Sequence, residues 1–285
     1  MTHSGPAMLT ASANAAPTRW PWPPLVRASV GLHAAAAGAA AFVPGAAPWA
    51  LAAVLLDHAV ITGAGLTPRS GWLGPNVTRL PAEATARRAF ALTLDDGPDP
   101  EVTPAVLDLL DTLGLKASFF LIGERARAQP ALVRRIVEAG HDVQNHSAHH
   151  RHHFSLMGPR AIEREVADGQ AMLADLTGRA PHAFRAPAGL RNPFLDPVLH
   201  RLGLHLVSWT RRGFDTREAD AGRVLARLRT GLAAGDIVLL HDGHARRTAS
   251  GRPVLLEVLP PLAAALREAG LATETLTQAL PPRRP

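Results

Sequence analysis

Two hydrophobic patterns divide the chain. From Leu25 to Val43 nearly every position is apolar, apart from Arg27, Ser29 and His33. Pro44-Gly45-Ala46-Ala47-Pro48 interrupts this run, and a second one extends from Trp49 to Leu66 with Asp57 and His58 near its middle. Each run is about long enough to cross a bilayer as a helix, which takes roughly 20 residues. Residues 25–66 are therefore expected to form a helical hairpin that contacts membrane lipid. An Asp at a helix centre costs about 2.5–3.5 kcal/mol to insert, so Asp57 and His58 are expected to face the partner helix. A cleaved signal peptide fits less well, because the preceding tail is long and a second apolar run follows. A soluble helix pair packed on the rest of the chain is the other alternative. Residues 1–24 lack periodicity and read as a flexible tail; residues 67–88, rich in Pro, Gly and Arg, read as a linker.

From Ala89 onward, short apolar runs alternate with helical patterns. The strand-like runs are Ala89–Leu94, Lys116–Ile122, His141–Asn145, Ala183–Arg185, Leu204–Trp209, Asp236–His241 and Leu271–Leu276. Thr103 is placed to cap a helix that begins at Pro104 and closes at Gly114. Further helices are expected from Pro130 to Gly140, across Glu163–Leu176, Pro193–Leu202, Arg223–Leu232 and Val254–Ala269. Strands alternating with helices imply an α/β fold with a parallel sheet, here a distorted barrel of the (β/α)7 type formed by residues 89–285. Reactive side chains in such barrels gather at the C-terminal ends of the strands. Asp95 and Asp96 end the first strand, Asn145 and His146 the third, Arg185 the fourth and His241 the sixth; Asp215 follows the fifth.

The adjacent carboxylates of Asp95 and Asp96 repel, and call for a cation or an arginine nearby. His146 and His150 are four residues apart, which on a helical turn would set both imidazoles on one face. With one carboxylate they make a two-His, one-Asp set that leaves metal positions open. His149, His152 and His153 complicate that count, and a solvated His-rich loop is the plainer alternative. The chain has no cysteine, so any metal must be held by His and carboxylates. Its net charge of +6 comes from scattered arginines and the single Lys116, with no Tyr and no basic stripe interleaved with aromatics. Nucleic acid is accordingly not expected as a partner, and nothing calls for an obligate protein partner.

Thr93-Leu94-Asp95-Asp96-Gly97-Pro98, His146-Ser147-Ala148-His149-His150, Arg185-Ala186-Pro187-Ala188-Gly189 and Leu239-Leu240-His241 occur in that order. Together they resemble the motifs of the polysaccharide deacetylase family (NodB homology, carbohydrate esterase family 4) over about Ala89 to Leu276. The resemblance implies a metal-dependent hydrolase that removes acetyl groups from N-acetylated amino sugars of a cell-envelope glycan or a lipid-linked sugar. It implies Asp96, His146 and His150 as ligands of one divalent ion, usually Zn2+, with Co2+, Ni2+ or Mn2+ able to substitute. Asp95 would be the general base, Arg185 its orienting partner, His241 the general acid, and the backbone N–H of Ala188 an oxyanion donor. The family's Asp-Trp pair after the fifth strand is missing. Asp215 is the only carboxylate placed to support Arg185, and Ala188 replaces the family's aromatic. An O-acetyl esterase and a non-catalytic sugar-binding relative are the alternative readings. Arg19 lies before the hairpin, Arg27 near its start, and Arg69, Arg79, Arg87 and Arg88 follow it, so both flanks are expected on the cytoplasmic face of a bacterial inner membrane.

Overall fold

The computed structural model describes residues 19–283, and the tail expected over 1–24 lies mostly outside them. Helix α1 (Pro24–Phe42) and α2 (Ala47–Gly65) pack against each other as a hairpin. Each is 19 residues long and apolar enough to cross a membrane by length and composition. Large apolar side chains such as Leu51, Leu55 and Leu56 stay exposed on its outer surface. The polar residues turn inward. Ser29 donates to Asp57 at 2.6 Å, and His33 lies 3.2 Å from His58.

The remaining elements form one α/β unit. In chain order they are α3 (Ala82–Ala86), β1 (Ala89–Asp95), α4 (Thr103–Leu113), β2 (Ala117–Leu121), α5 (Gly123–Ala128), α6 (Pro130–Glu138) and β3 (Asp142–Asn145). There follow α7 (Pro159–Thr177), β4 (Ala183–Phe184), α8 (Leu195–Arg201), β5 (His205–Leu206), β6 (Arg211–Arg212) and α9 (Ala221–Arg229). The chain ends with β7 (Ile237–His241), α10 (Val254–Glu268), β8 (Ala272–Thr273) and α11 (Leu276–Ala279). All strand pairs are parallel, in the order β5-β4-β3-β2-β1-β7-β6, with β8 beside the start of β1.

Strand alternation decides what faces the barrel interior. Along β1, Phe90, Leu92 and Leu94 join the outer core beneath α4, α9 and α10, whereas Ala89 and Ala91 join a smaller inner core with Phe120, Ala183 and Ile237. Continuing that inner face brings Thr93 and then Asp95 to the open C-terminal end. β1 and β2 are buried along their whole length, which is why their sequences are apolar rather than alternating.

Several expected elements change. The fifth strand splits, because β5 pairs with β4 at one edge of the sheet and β6 pairs with β7 at the other. Between them Val207 bridges Val77, so residues 67–88 are no free linker: Leu73, Leu80 and Ala84 are buried in the domain. Thr103 does not cap α4. Its hydroxyl accepts from the Asp99 N–H and donates to the buried Asp242, while the Asp99 carboxylate receives the N–H groups of Glu101 and Val102.

Candidate active site

Six of the eight expected site residues, Asp95, Asp96, His146, His150, Ala188 and His241, line one cleft of about 310 Å3 at the C-terminal ends of the strands. Arg185 and Asp215 lie buried behind it.

The nearest approach is around Asp96. Its Oδ1 lies 3.3 Å from Nε2 of His146 and 3.2 Å from Nε2 of His150, and this oxygen is buried without a hydrogen-bond partner. Such separations match the roughly 3.3 Å edge of a tetrahedron whose metal–ligand bonds are about 2.0 Å. The neighbours fix each donor. His146 Nδ1 sits 2.8 Å from the Arg185 carbonyl, which can only accept, so Nδ1 carries the proton and Nε2 is left for an ion. His244 is set by Arg125 in the same way: the guanidinium donates to its Nε2, leaving Nδ1–H towards Asp96 Oδ2 at 3.4 Å.

The two histidines do not meet on a helical turn. Residues 146–150 bend instead, with Ser147 and His150 in the left-handed region at φ 68° and 52°. Asn145 holds this bend against α7, accepting from the Ser147 N–H and donating to Val166 and Gln170. His149 turns away to Glu165 at 2.9 Å, which removes it from the ligand set. Among the described residues, Asp96, His146 and His150 are the only such group that could hold a metal.

The electrostatics agree with a cation there. Burial alone would raise the Asp96 pKa, but the imidazoles of His146 and His244 beside its carboxylate hold it well below the carboxylate range. Burial disfavours charge on His146, yet Asp95 and Asp96 together raise its pKa. The two carboxylates thus favour positive charge at this point, which a divalent ion on Nε2 would supply in place of a proton, since the two compete for the same lone pair. His150, half-buried and beside His146, is pushed down to about 4 and offers a neutral nitrogen.

Asp95 is held from the opposite side. Arg185 is fully buried, stacks 4.0 Å from the Phe120 ring, and donates to Asp95 Oδ1 at 2.5 Å and to Thr93 at 2.8 Å. Its remaining N–H groups reach the Val207 and Ser208 carbonyls. Asp215 does not take part in this group, contrary to its expected support of Arg185. It grips His241 instead, accepting from the backbone N–H at 2.7 Å and from Nδ1 at 2.9 Å, so Nε2 of His241 is left for the cleft. Burial opposes charge on His241, but the Asp215 carboxylate outweighs it and raises the pKa. Ala188 adopts φ 55° on the exposed lip of the cleft, and its N–H has no acceptor among the described residues.

A polysaccharide deacetylase family profile matches residues 82–207. A chitooligosaccharide deacetylase of Sinorhizobium fredii is 32% identical over 205 residues, covering 70% of this chain and 95% of its own. The chain belongs to the polysaccharide deacetylase family. A peptidoglycan-N-acetylglucosamine deacetylase of Listeria monocytogenes is 34% identical over 178 residues, which are 62% of this chain and 37% of that protein. The chain therefore matches well under half the length of this relative. Among solved structures, the family 4 carbohydrate esterase from Streptomyces lividans in complex with acetate aligns with a TM-score of 0.61 and 31% identity, over 68% of this chain and 97% of its own.

The family's motif residues account for the cleft floor, but four further groups complete it. His244 and Arg125 brace Asp96. Asp242, whose pKa burial pushes up to about 7, fills the space beside Gly97, where any Cβ would lie 2.2 Å from its carboxylate. Arg212 lines the wall beyond His241. The His-Asp-Gly-His run at 241–244 and the Arg pair at 211–212 were visible signals for three of these. Which face each residue takes depends on strand register and was not readable from the sequence.

Proposed function

We propose that this member of the polysaccharide deacetylase family removes acetyl groups from N-acetylated amino sugars by metal-assisted hydrolysis. One observation carries the reading: the Asp96, His146 and His150 donor set faces the same cleft as a carboxylate held by arginine and an imidazole held by carboxylate. Two imidazoles and a carboxylate suit Zn2+, with Co2+, Ni2+ or Mn2+ as substitutes. The bound ion would supply Lewis acidity, lowering the pKa of water and polarising the acetyl carbonyl.

The chain's own groups do the rest. Asp95, oriented by Arg185, takes the proton of the attacking water. The Ala188 N–H donates to the oxygen that becomes negative as the carbonyl turns tetrahedral. His241, protonated at Nε2 and stabilised through Nδ1 by Asp215, gives its proton to the departing nitrogen. An amine leaves poorly without that proton, whereas an alkoxide from an ester depends on it less, and this favours N- over O-deacetylation. The hairpin would anchor the enzyme in the inner membrane beside a glycan or a lipid-linked sugar.

Full-length protein in detergent should release acetate from chitotriose, lose this activity to a chelator and regain it with Zn2+. Acetate release from acetylated xylan, with none from N-acetylated sugars, would replace this reading with an O-acetyl esterase.

A further inference from the structure

Arg212 has no role in the chemistry above, yet it faces the cleft. It pairs in register with Leu239 on β7, whose side chain also lines the cleft, so alternation directs Arg212 inward and Arg211 outward to Asp236. Its guanidinium carbon lies 5.3 Å from the Trp209 ring centroid and 5.1 Å from that of Phe214, which hold it from two sides. Among the described residues no carboxylate comes within ion-pair distance, and the buried Nε has no hydrogen-bond partner. Arg185 and Arg211 are instead paired with Asp95 and Asp236. Arg217 lines the same cleft, exposed and likewise without a carboxylate, while its neighbours Arg223 and Arg227 are paired with Glu218.

The charges of the cleft leave these two arginines over. Asp95 is paired with Arg185, and Asp215 is held against His241. Asp96 belongs to the metal donor set, and a divalent ion there more than neutralises it. A cleft-lining guanidinium without a carboxylate partner is suited to an anion at its terminal N–H groups, its Nε being closed off from the cleft. Guanidinium forks match phosphate oxygens in pairs, which makes phosphate the fitting class. The position of the wall adds a second argument. Trp209 and Gly189 close on Pro68, three residues beyond the end of α2, and Ser208 and Thr210 are bonded to Pro68 and Arg69. The cleft thus opens beside the point where the chain leaves the apolar hairpin.

We propose that Arg212 and Arg217 form an anion subsite, and that the sugar deacetylated here carries a phosphate group. This deepens the deacetylase reading and rests on it for the reaction, though not for the binding. Phosphate can come from a lipid-linked sugar or from a soluble sugar phosphate, and separate arms of one experiment distinguish them.

Calorimetric titration of the full-length protein in neutral detergent, with and without Zn2+, would compare N-acetylglucosamine 1-phosphate with N-acetylglucosamine. The phosphate should improve affinity about tenfold or more, as charge-assisted hydrogen bonds do. Arg212→Gln should abolish most of that preference. Arg217→Gln, at an exposed position where folding is not at stake, should reduce it, and Arg212→Lys should restore part of it. Equal affinities for the two sugars in wild type would overturn the proposal. So would a phosphate preference that persists in the Arg212→Gln/Arg217→Gln double variant, because the phosphate would then be held elsewhere, such as on the metal. Tighter binding of a polyprenyl phosphate-linked N-acetylglucosamine than of the soluble phosphate would assign the lipid source, and equal binding the soluble one. Acetate release from chitotriose without any phosphate preference would leave the deacetylase standing and remove the subsite. An arginine-dependent preference without acetate release from any arm would do the reverse.

Discussion

Asp95 and Asp96 are neighbours in sequence but meet opposite surroundings, and their substitutions should separate accordingly. Asp96 offers a bare buried oxygen to two imidazoles, whereas Asp95 is tied to Arg185. Asp96→Ala is expected to lose metal and activity together. Asp95→Asn should keep the metal while turnover falls about 10²–10⁴-fold, the range for a positioned acid or base. Metal content by mass spectrometry beside acetate release checks both; full occupancy in a His146→Ala/His150→Ala variant would sink the ligand assignment. His241 supplies the pH test. Its pKa is raised because the Asp215 charge outweighs burial. A general acid works protonated, so activity should fall as pH rises through that raised value. Asp215→Asn removes the charge and lowers the pKa, which should move the falling limb of the kcat/KM profile to lower pH. A basic limb that stays in place would rule out His241 as the group titrating there.

At the scale of elements, the cleft depends on how strand tips are turned. Of the seven non-glycine residues with positive φ among the described residues, Asp96, Ser147, His150, Ala188, Phe214 and His244 all lie at the C-terminal rim. Left-handed backbone costs an ordinary residue about 1–2 kcal/mol, so packing must hold these turns in place. Helix α7 does this for the histidine bend. At Gly169 a Cβ would lie 2.8 Å from Asn145 Oδ1 and 2.9 Å from the Ser147 carbonyl carbon. Gly169→Ala is therefore expected to push α7 off the bend and destabilise the fold by about 1–3 kcal/mol, as overpacking does. Urea unfolding would measure the loss, and metal affinity should fall with it because His146 and His150 ride on the displaced segment. An unchanged unfolding midpoint would show that α7 yields without cost.

For the whole molecule, the relation of hairpin to barrel sets the geometry of access. Both hairpin ends touch the same region of the domain: Trp20 donates to Asp196 at 2.7 Å, and the Gly65 carbonyl receives the Arg191 N–H at 3.1 Å. If the hairpin spans a membrane, its two flanks and the catalytic domain share one side. The arginines at those flanks favour the cytoplasmic face. A reporter fused after Pro285 tests this: fluorescence of a cytoplasmic reporter, without alkaline phosphatase activity, is the expected result. Phosphatase activity would instead set the domain outside, within reach of assembled cell-wall glycan.

The sequence by itself determined the parallel α/β character, the apolar hairpin and the four motifs that floor the cleft. These are local signals, since a run of apolar residues, its Gly or Pro stop and the polar residue at its tip can be read within a few positions. Only the tertiary structure decided which distant groups meet. Asp215 closes on His241 rather than Arg185, Thr103 serves Asp242 rather than its helix, and residues 67–88 join the barrel through Val77. Likewise the histidine bend, and the inward face of Arg212, follow from how strands are registered across the sheet. A slip of one residue reverses every facing, and nothing local in the chain records that choice.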